Sequence, residues 1–375
     1  MAKRFLSLLS LGLLTLTACQ TGGSGDEGPL KVGFIGPLTG DAAPCGVDML
    51  NGTKMAVEEI NTAGGVNGRM IELVVEDGRC TGADSASAAQ KLVNVDKVIA
   101  IIGGGCSGET LAAAPIAEAA SVVMISPLSS SPDVTMAGDF IFRDYPSDAL
   151  KTKAMASLLR EEEFTKLAMI SENTDFAQAF RESLKQDLGV DMVVFDEVVD
   201  PGTKDFRTLI TRLKDLEFDI FFPNGQSDAA IAAMMQQLRE QGLLQQAISH
   251  DVADSITLGT LAPEAVEGMY IVNVPTAGEG GEFQKTFDQK FGGAQATIAF
   301  AAHSYDATKV LAKAIGTVGT AGTAIRDYLY SMPAFSGVVG NFTFDRNGDV
   351  VGIPYGLKAF KEGAIVKVRD LPVLP

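Results

Sequence analysis

Apolar and polar positions along this chain switch between two periods, and the switching repeats. Residues 31–35 form a short β-branched and aromatic run that predicts a strand. A turn with Gly36, Pro37 and Gly40 follows. From Asn51 to Asn61, Met55, Ala56 and Ile60 fall on one side of a predicted helix, with Lys54, Glu58 and Glu59 largely opposite. Gly64, Gly65, Asn67 and Gly68 end it. A strand over Met70 to Val75, an Ala-rich helix over Asp84 to Val95 and an apolar strand over Val98 to Ile102 come next. That strand runs into Gly103-Gly104-Gly105, then a helix over Glu109 to Ala120 and a strand over Val122 to Ile125. Near-continuous apolar strands between helices imply a parallel sheet covered on both faces.

The rhythm restarts after about residue 148. Strands are expected at 167–170, 192–199 and 220–222, with helices at 176–188, 205–216 and 228–241. Thr203 is placed to cap the second of these helices, and Gly242 closes the third. The pair Met234-Met235 reads as core packing. Two stretches of the same α/β pattern, without close sequence repetition, imply two similar lobes. At 375 residues the chain is long for one core and comfortable for two.

The beginning of the chain follows another pattern. Lys3 and Arg4 precede an apolar run from Phe5 to Leu16, and small residues then lead into Cys19. This is the layout of a secretory signal peptide over residues 1–18. Leu16-Thr17-Ala18-Cys19 resembles a bacterial lipobox, whose cysteine becomes the acylated first residue of the mature protein. Gln20 to Gly28 is polar and Gly-rich, so residues 19–28 read as a lipidated tether. The expected location is therefore outside the cytoplasm, anchored by lipid to the cell membrane, in a periplasm or at the cell surface. A formal net charge of −17 disfavours nucleic-acid binding, which needs basic patches.

The order of residues resembles a family. Gly36-Pro37-Leu38-Thr39-Gly40 follows the first strand, and an Asn-Gly…Ala-Val-Glu-Glu-Ile-Asn…Gly-Gly-Val-Asn-Gly pattern spans Asn51 to Gly68. Then come Glu76-Asp77 before Cys80, the segment Ile102 to Ser107, and Ile125 to Pro132. Later matches are Lys204-Asp205-Phe206, Glu267-Gly268-Met269, Ser304-Tyr305-Asp306-Ala307 and Phe344-Asp345 with Asn347-Gly348-Asp349. In number and order these motifs resemble the type I periplasmic binding proteins of the leucine/isoleucine/valine-binding class. The resemblance implies an α/β fold of two Rossmann-like lobes joined by three hinge crossings, with one solute held between them. It places the first lobe at 29–147 plus 275–345 and the second at 148–274 plus 346–375.

In open α/β sheets, ligands bind beyond the carboxyl ends of the strands. Candidates in the first lobe are therefore Gly103 to Ser107 and Ser126 to Ser130. Hydroxyls and amides at a helix N-terminus suit a carboxylate. The resemblance puts that role on Ser107 and Ser130, with the backbone of Leu128 facing an ammonium. It puts the carboxylate that receives the ammonium on Asp251, beside His250. Phe176 matches an aromatic that covers the ligand, where tyrosine is usual. Ser227 falls about where another tyrosine stands, with Gln226 as the competing assignment. Cys45 replaces a large aromatic, so the pocket is expected to be roomier or more polar than a leucine site.

Of the remaining cysteines, the resemblance implies a disulfide between Cys80 and Cys106, and an oxidising compartment permits it. Enzymatic readings find little support. Gly103 to Gly108 lacks both the Gly-x-Gly-x-x-Gly spacing and a P-loop lysine. His250 and His303 are the two histidines, and no His-Glu-x-x-His or Cys-x-x-Cys accompanies them. No cofactor, metal or catalytic residue is expected. The expected function is a monomeric solute-binding lipoprotein that captures an amino acid, branched-chain or a related small one. It would deliver that ligand to the membrane subunits of an ABC permease. The alternative is a ligand sensor on the same scaffold, binding an amide, urea or other small carboxylate without transport.

Overall fold

The computed structural model describes residues 28–189, 191–274 and 281–371. The expected signal peptide, Cys19 and most of the tether lie outside the described residues. Among the described residues, no helix is long and apolar enough to cross a membrane.

The first layer is built by β1 (Leu30–Gly36), α1 (Ala43–Thr62), β2 (Ile71–Asp77), α2 (Gly82–Lys91), β3 (Ala100–Ile102), α3 (Ser107–Ala120), β4 (Val123–Ser126) and β5 (Ile141–Arg143). Its five strands pair in the order β2-β1-β3-β4-β5, all parallel. Phe34, Ile101, Ile102, Met124 and Ile125 are fully buried, as strands covered on both faces require.

The second layer comprises α4 (Asp148–Glu161), β6 (Leu167–Glu172), α5 (Asp175–Leu188), β7 (Val193–Val199), α6 (Arg207–Leu213), β8 (Ile220–Asn224), α7 (Asp228–Glu240), β9 (Gln246–Ser249), α8 (Ile256–Leu261), α9 (Pro263–Val266) and β10 (Tyr270–Asn273). Helices α10 (Glu282–Phe291), α11 (Ile298–Val318) and α12 (Gly322–Ser331) follow, and α11 packs along α1 of the first layer. A small antiparallel sheet joins β11 (Phe335–Gly337), β12 (Gly340–Phe344) and β13 (Val350–Val351). Finally β14 (Gly356–Lys361) and β15 (Ala364–Asp370) add an antiparallel hairpin beside β10. The second sheet runs β15-β14-β10-β9-β8-β6-β7.

The molecule is thus two-lobed, and the chain passes between lobes after β5, after β10 and after β13. Hydrogen bonds tie these passages together. Tyr145 donates its hydroxyl to Asn273 Oδ1 at 2.5 Å, and Tyr355 donates to the Ser147 carbonyl at 2.8 Å.

Three elements differ from the sequence expectation. Helix α1 begins at Ala43, well before Asn51, with Pro44 in its first turn. Gly46 disguises this start, because glycine weakens a helix pattern. Gly52 is required by a close approach: a Cβ there would lie 2.1 Å from the Ala301 carbonyl oxygen of α11. Helix α6 starts at Arg207, and Thr203 does not cap it. The Thr203 hydroxyl bonds the Asp200 carbonyl instead, and Gln237 Oε1 accepts from the Phe206 amide at 2.6 Å. Helix α2 ends at Lys91 and continues as a π-turn to Asp96. Met234 and Met235 are fully buried in the second lobe's core, as expected.

Candidate functional site

The carboxyl ends of the two parallel sheets face one another across a cavity. With its mouth included, it encloses about 410 Å³ of empty space. The first lobe lines it with Pro37 and Ala42 from the β1–α1 connection, Cys45 from the first turn of α1, Gly105 to Ser107 after β3, and Leu128 and Ser130 after β4. Phe300 comes from the start of α11. The second lobe supplies Phe176 after β6, Gln226 after β8, and Asp251 and Val252 after β9. Six of the seven ligand-site candidates read from the sequence converge here: Cys45, Ser107, Leu128, Ser130, Phe176 and Asp251. The seventh, Ser227, does not line the cavity. Its hydroxyl accepts from the Ala230 amide at 3.2 Å and caps α7, while neighbouring Gln226 faces the cavity.

Helix α3 opens at Ser107, so its N-terminus meets the cavity. A helix N-terminus carries unpaired amides and the positive end of the dipole, both of which favour an anion. Ser107 Oγ accepts the Ser131 amide at 3.2 Å, which leaves its proton for a ligand. Behind it, Glu109 holds the loop in shape. Its carboxyl accepts from the amides of Cys80, Gly105 and Cys106 at 2.8–3.0 Å. The Cys80–Cys106 disulfide implied by the resemblance is present, with Cα atoms 5.3 Å apart. Gln226 reaches it from the opposite lobe, with Nε2 3.2 Å from Cys80 Sγ. Gln226 is placed by Glu172, whose Oε2 accepts the Gln226 amide at 2.6 Å.

The opposite wall is electronegative. Asp251 lies just past the end of β9 and is, among the described residues, the charged one that lines the cavity. Its Oδ1 is 2.7 Å from Lys151 Nζ, which also lies 2.7 Å from Asp148 Oδ1. Ser130 Oγ donates to Asp148 Oδ2 at 2.8 Å. The Ser130 hydroxyl, expected to donate to a ligand carboxylate, spends its proton on Asp148 instead and is left as an acceptor, suited to a donor such as an ammonium. Burial opposes ionisation of Asp251, but the Lys151 charge and hydrogen bond hold its carboxyl below the usual carboxylate range. Burial, with Asp251 nearby, pushes Asp148 up against the pull of Lys151. One cation shared by two carboxylates leaves the triad with room for further positive charge.

His250 lies beneath this wall, fully buried, with its ring 4.9 Å from that of Phe176 and 5.1 Å from that of Phe180. Burial pushes its pKa down to about 3, so the imidazole is neutral. Its Nε2 is 3.1 Å from Asn224 Oδ1 and its Nδ1 accepts the Val252 amide at 3.4 Å, which assigns the proton to Nε2. Burial and the carboxylates of Asp228, Asp48 and Asp251 push the Cys45 thiol well above its ordinary value. Cys45 therefore lines the cavity as a protonated thiol, without nucleophilic character.

Lys151 and Asp148 were not legible as site residues. In sequence they form an ordinary i,i+3 pair in the first turn of a helix, indistinguishable from a solvated one. Phe300 and Val252 carried no signal beyond hydrophobicity.

Chemically, one end of the cavity suits an anion and the other a cation. The chain is 29% identical over 333 residues to the leucine-, isoleucine-, valine-, threonine- and alanine-binding protein of Pseudomonas aeruginosa, covering 86% of this chain and 87% of that protein. Its structure is similar to that of the leucine-binding protein LivK of Thermotoga maritima, with a TM-score of 0.84, 26% identity, and 91% and 98% of the two chains covered. A solute-binding protein of an ABC transporter from R. palustris, solved with benzoate, shares the fold at a TM-score of 0.83 and 18% identity, over 92% and 98% of the chains. The sequence model of the family described as periplasmic binding protein matches residues 29–355. With that match over most of its length, the chain belongs to the periplasmic binding protein family, in its leucine/isoleucine/valine-binding branch.

Proposed function

We propose that this protein is an extracytoplasmic receptor. It captures an amino acid, branched-chain or a related small one, between its two lobes and delivers it to an ABC importer. The observation that carries the reading is the pairing, across one interlobe cavity, of the α3 N-terminus and Ser107 with the carboxylate of Asp251. A zwitterion satisfies both ends at once. A lone carboxylate satisfies one end and leaves Asp251 facing it, because no lysine or arginine lines this cavity among the described residues. The family relation supports the same class of ligand. The protein works by binding and release rather than by catalysis, as a monomer, with lobes divided at 29–147 plus 275–351 and 148–274 plus 352–375, the last boundary falling after β13 rather than at the 345/346 expected from the sequence. Lipid on Cys19 keeps it at the membrane where the permease subunits lie.

One observation favours a second reading. Asp251 already has a cationic partner in Lys151, so a neutral amide or urea could occupy the cavity without an ammonium, in a sensor as well as a transporter. Mass spectrometry of the small molecules released from purified recombinant protein separates the two. A zwitterionic amino acid supports the first reading; an amide or urea supports the second. X-ray scattering adds the closure test: ligand bridging Ser107 and Asp251 should compact the molecule.

A further inference from the structure

The segment Asp345-Arg346-Asn347-Gly348-Asp349 lies outside the cavity, yet it is tied to it through one arginine. Arg143 ends β5 and is fully buried. Its Nε meets Asp349 Oδ1 at 2.6 Å, and its amide donates to the Gly348 carbonyl at 2.9 Å. Nη2 donates to Thr135 Oγ1 at 2.7 Å, and Thr135 in turn donates to Asp349 Oδ2 at 2.8 Å. Nη1 donates to the Ser131 carbonyl at 2.7 Å and to the Ser129 carbonyl at 3.4 Å. The turn is seated tightly on β5: Gly348 has φ +80°, and a Cβ there would lie 2.3 Å from the Ile141 carbonyl oxygen.

These bonds flank Ser130 on both sides. With the carbonyls of residues 129 and 131 drawn to the guanidinium, the Ser130 side chain is directed the other way, onto Asp148 and the cavity. The amide of Ser131 is fixed as well, because it donates to Ser107 Oγ. One buried guanidinium therefore sets the loop that touches both the anionic and the cationic ends of the site. Two buried carbonyls would lose their donor without it, which disfavours the native loop conformation. Asp349 lies two residues before the passage of the chain into the second lobe, so the same arginine links the loop to the hinge.

We propose that Arg143, held by Asp349, is a positioning residue for ligand capture that acts through Ser130. The proposal rests on reading the interlobe cavity as the ligand site. Arg143→Lys, Thr135→Val and Ser130→Ala, singly and combined, test it in the mature protein. In the ligand-free protein, Arg143→Lys should speed amide hydrogen exchange at residues 129–131 about tenfold or more and leave β3 unchanged. By calorimetry with L-leucine, Arg143→Lys should weaken binding about tenfold in the native background and less than about twofold in the Ser130→Ala background. Unchanged exchange at 129–131, or affinity losses that multiply in full, would overturn the proposal. Thr135→Val removes one partner from each member of the ion pair. It carries the same comparison if Arg143→Lys fails to fold. If the unaltered protein does not bind leucine, the amino-acid reading is weakened, and the exchange measurement alone decides the positioning role.

Discussion

Lys151 Nζ and Asp251 Oδ1 meet at 2.7 Å, joining two buried side chains one hundred residues apart in the chain. Lys151 also holds Asp148, so one cation is shared between two carboxylates that would otherwise repel. The two ends of this contact should respond differently to substitution. Lys151→Met strips both carboxylates of their cation and should destabilise the fold by roughly 3–5 kcal/mol. Asp251→Ala leaves the Lys151–Asp148 pair intact and should cost clearly less. Denaturant midpoints of the two variants check the ranking, and a more damaging Asp251→Ala would contradict it.

Stability should be greatest on the acid side of neutrality. Burial raises Glu109 and Asp306 to about 7, and Asp48 and Asp228 to about 6. Each binds a proton in the folded state at a pH where the unfolded chain has released it. Their contribution is full near pH 4 and lost as pH rises through 6 to 7. His250, held down to about 3, works in the opposite sense, since the unfolded chain protonates it below about 6.5. Four groups against one give the acid direction. Thermal midpoints should be higher near pH 5.5 than at pH 8; a midpoint that rises steadily to pH 8 would contradict the balance.

The Cys80–Cys106 disulfide closes a sequence separation of 26 residues around the loop that opens α3. In the chain-entropy model such a crosslink stabilises by about 3–4 kcal/mol. Reduction, or Cys80→Ser with Cys106→Ser, should lower the denaturant midpoint correspondingly while retaining the fold, because Glu109 still ties the amides of Cys80, Gly105 and Cys106. An unchanged midpoint would deny the crosslink a stabilising role.

The anchor is testable in cells. Replacing Cys19 by Ala should leave an unprocessed or soluble protein, since acyl chains supply the membrane affinity. Full membrane retention of a correctly processed Cys19→Ala protein would remove the lipid from the account.

Much of this architecture was legible in residue order, for identifiable reasons. Strands covered on both faces read as continuous apolar runs, so β3, β4, β6 and β8 were visible locally. Ser107, Ser130 and Asp251 follow strand ends, where open α/β sheets put their ligands, and Phe176 was implied by the family resemblance. Features that depend on distant partners were hidden. Helix α1 carries two glycines set by other segments: Gly46 makes room for the Pro37 carbonyl, and Gly52 for the approach of α11, roughly 250 residues onward. Lys151 looked like a surface lysine because its second carboxylate lies one hundred residues away. Ser227 and Gln226 were adjacent alternatives. Local capping chemistry took the serine for α7 and left the glutamine to the cavity.

The central claim is that one cavity holds an ammonium at Asp251 and a carboxylate at Ser107. Calorimetry on the mature protein, with amino acids, their amides and their deaminated analogues, tests it most directly. The account predicts binding of at least one small amino acid and much weaker binding of its deaminated analogue. Asp251→Ala should cost that amino acid about 2–5 kcal/mol, roughly 30-fold or more in affinity. Ser107→Ala should cost about 1–2 kcal/mol. Equal affinity for an amino acid and its deaminated analogue would contradict the account.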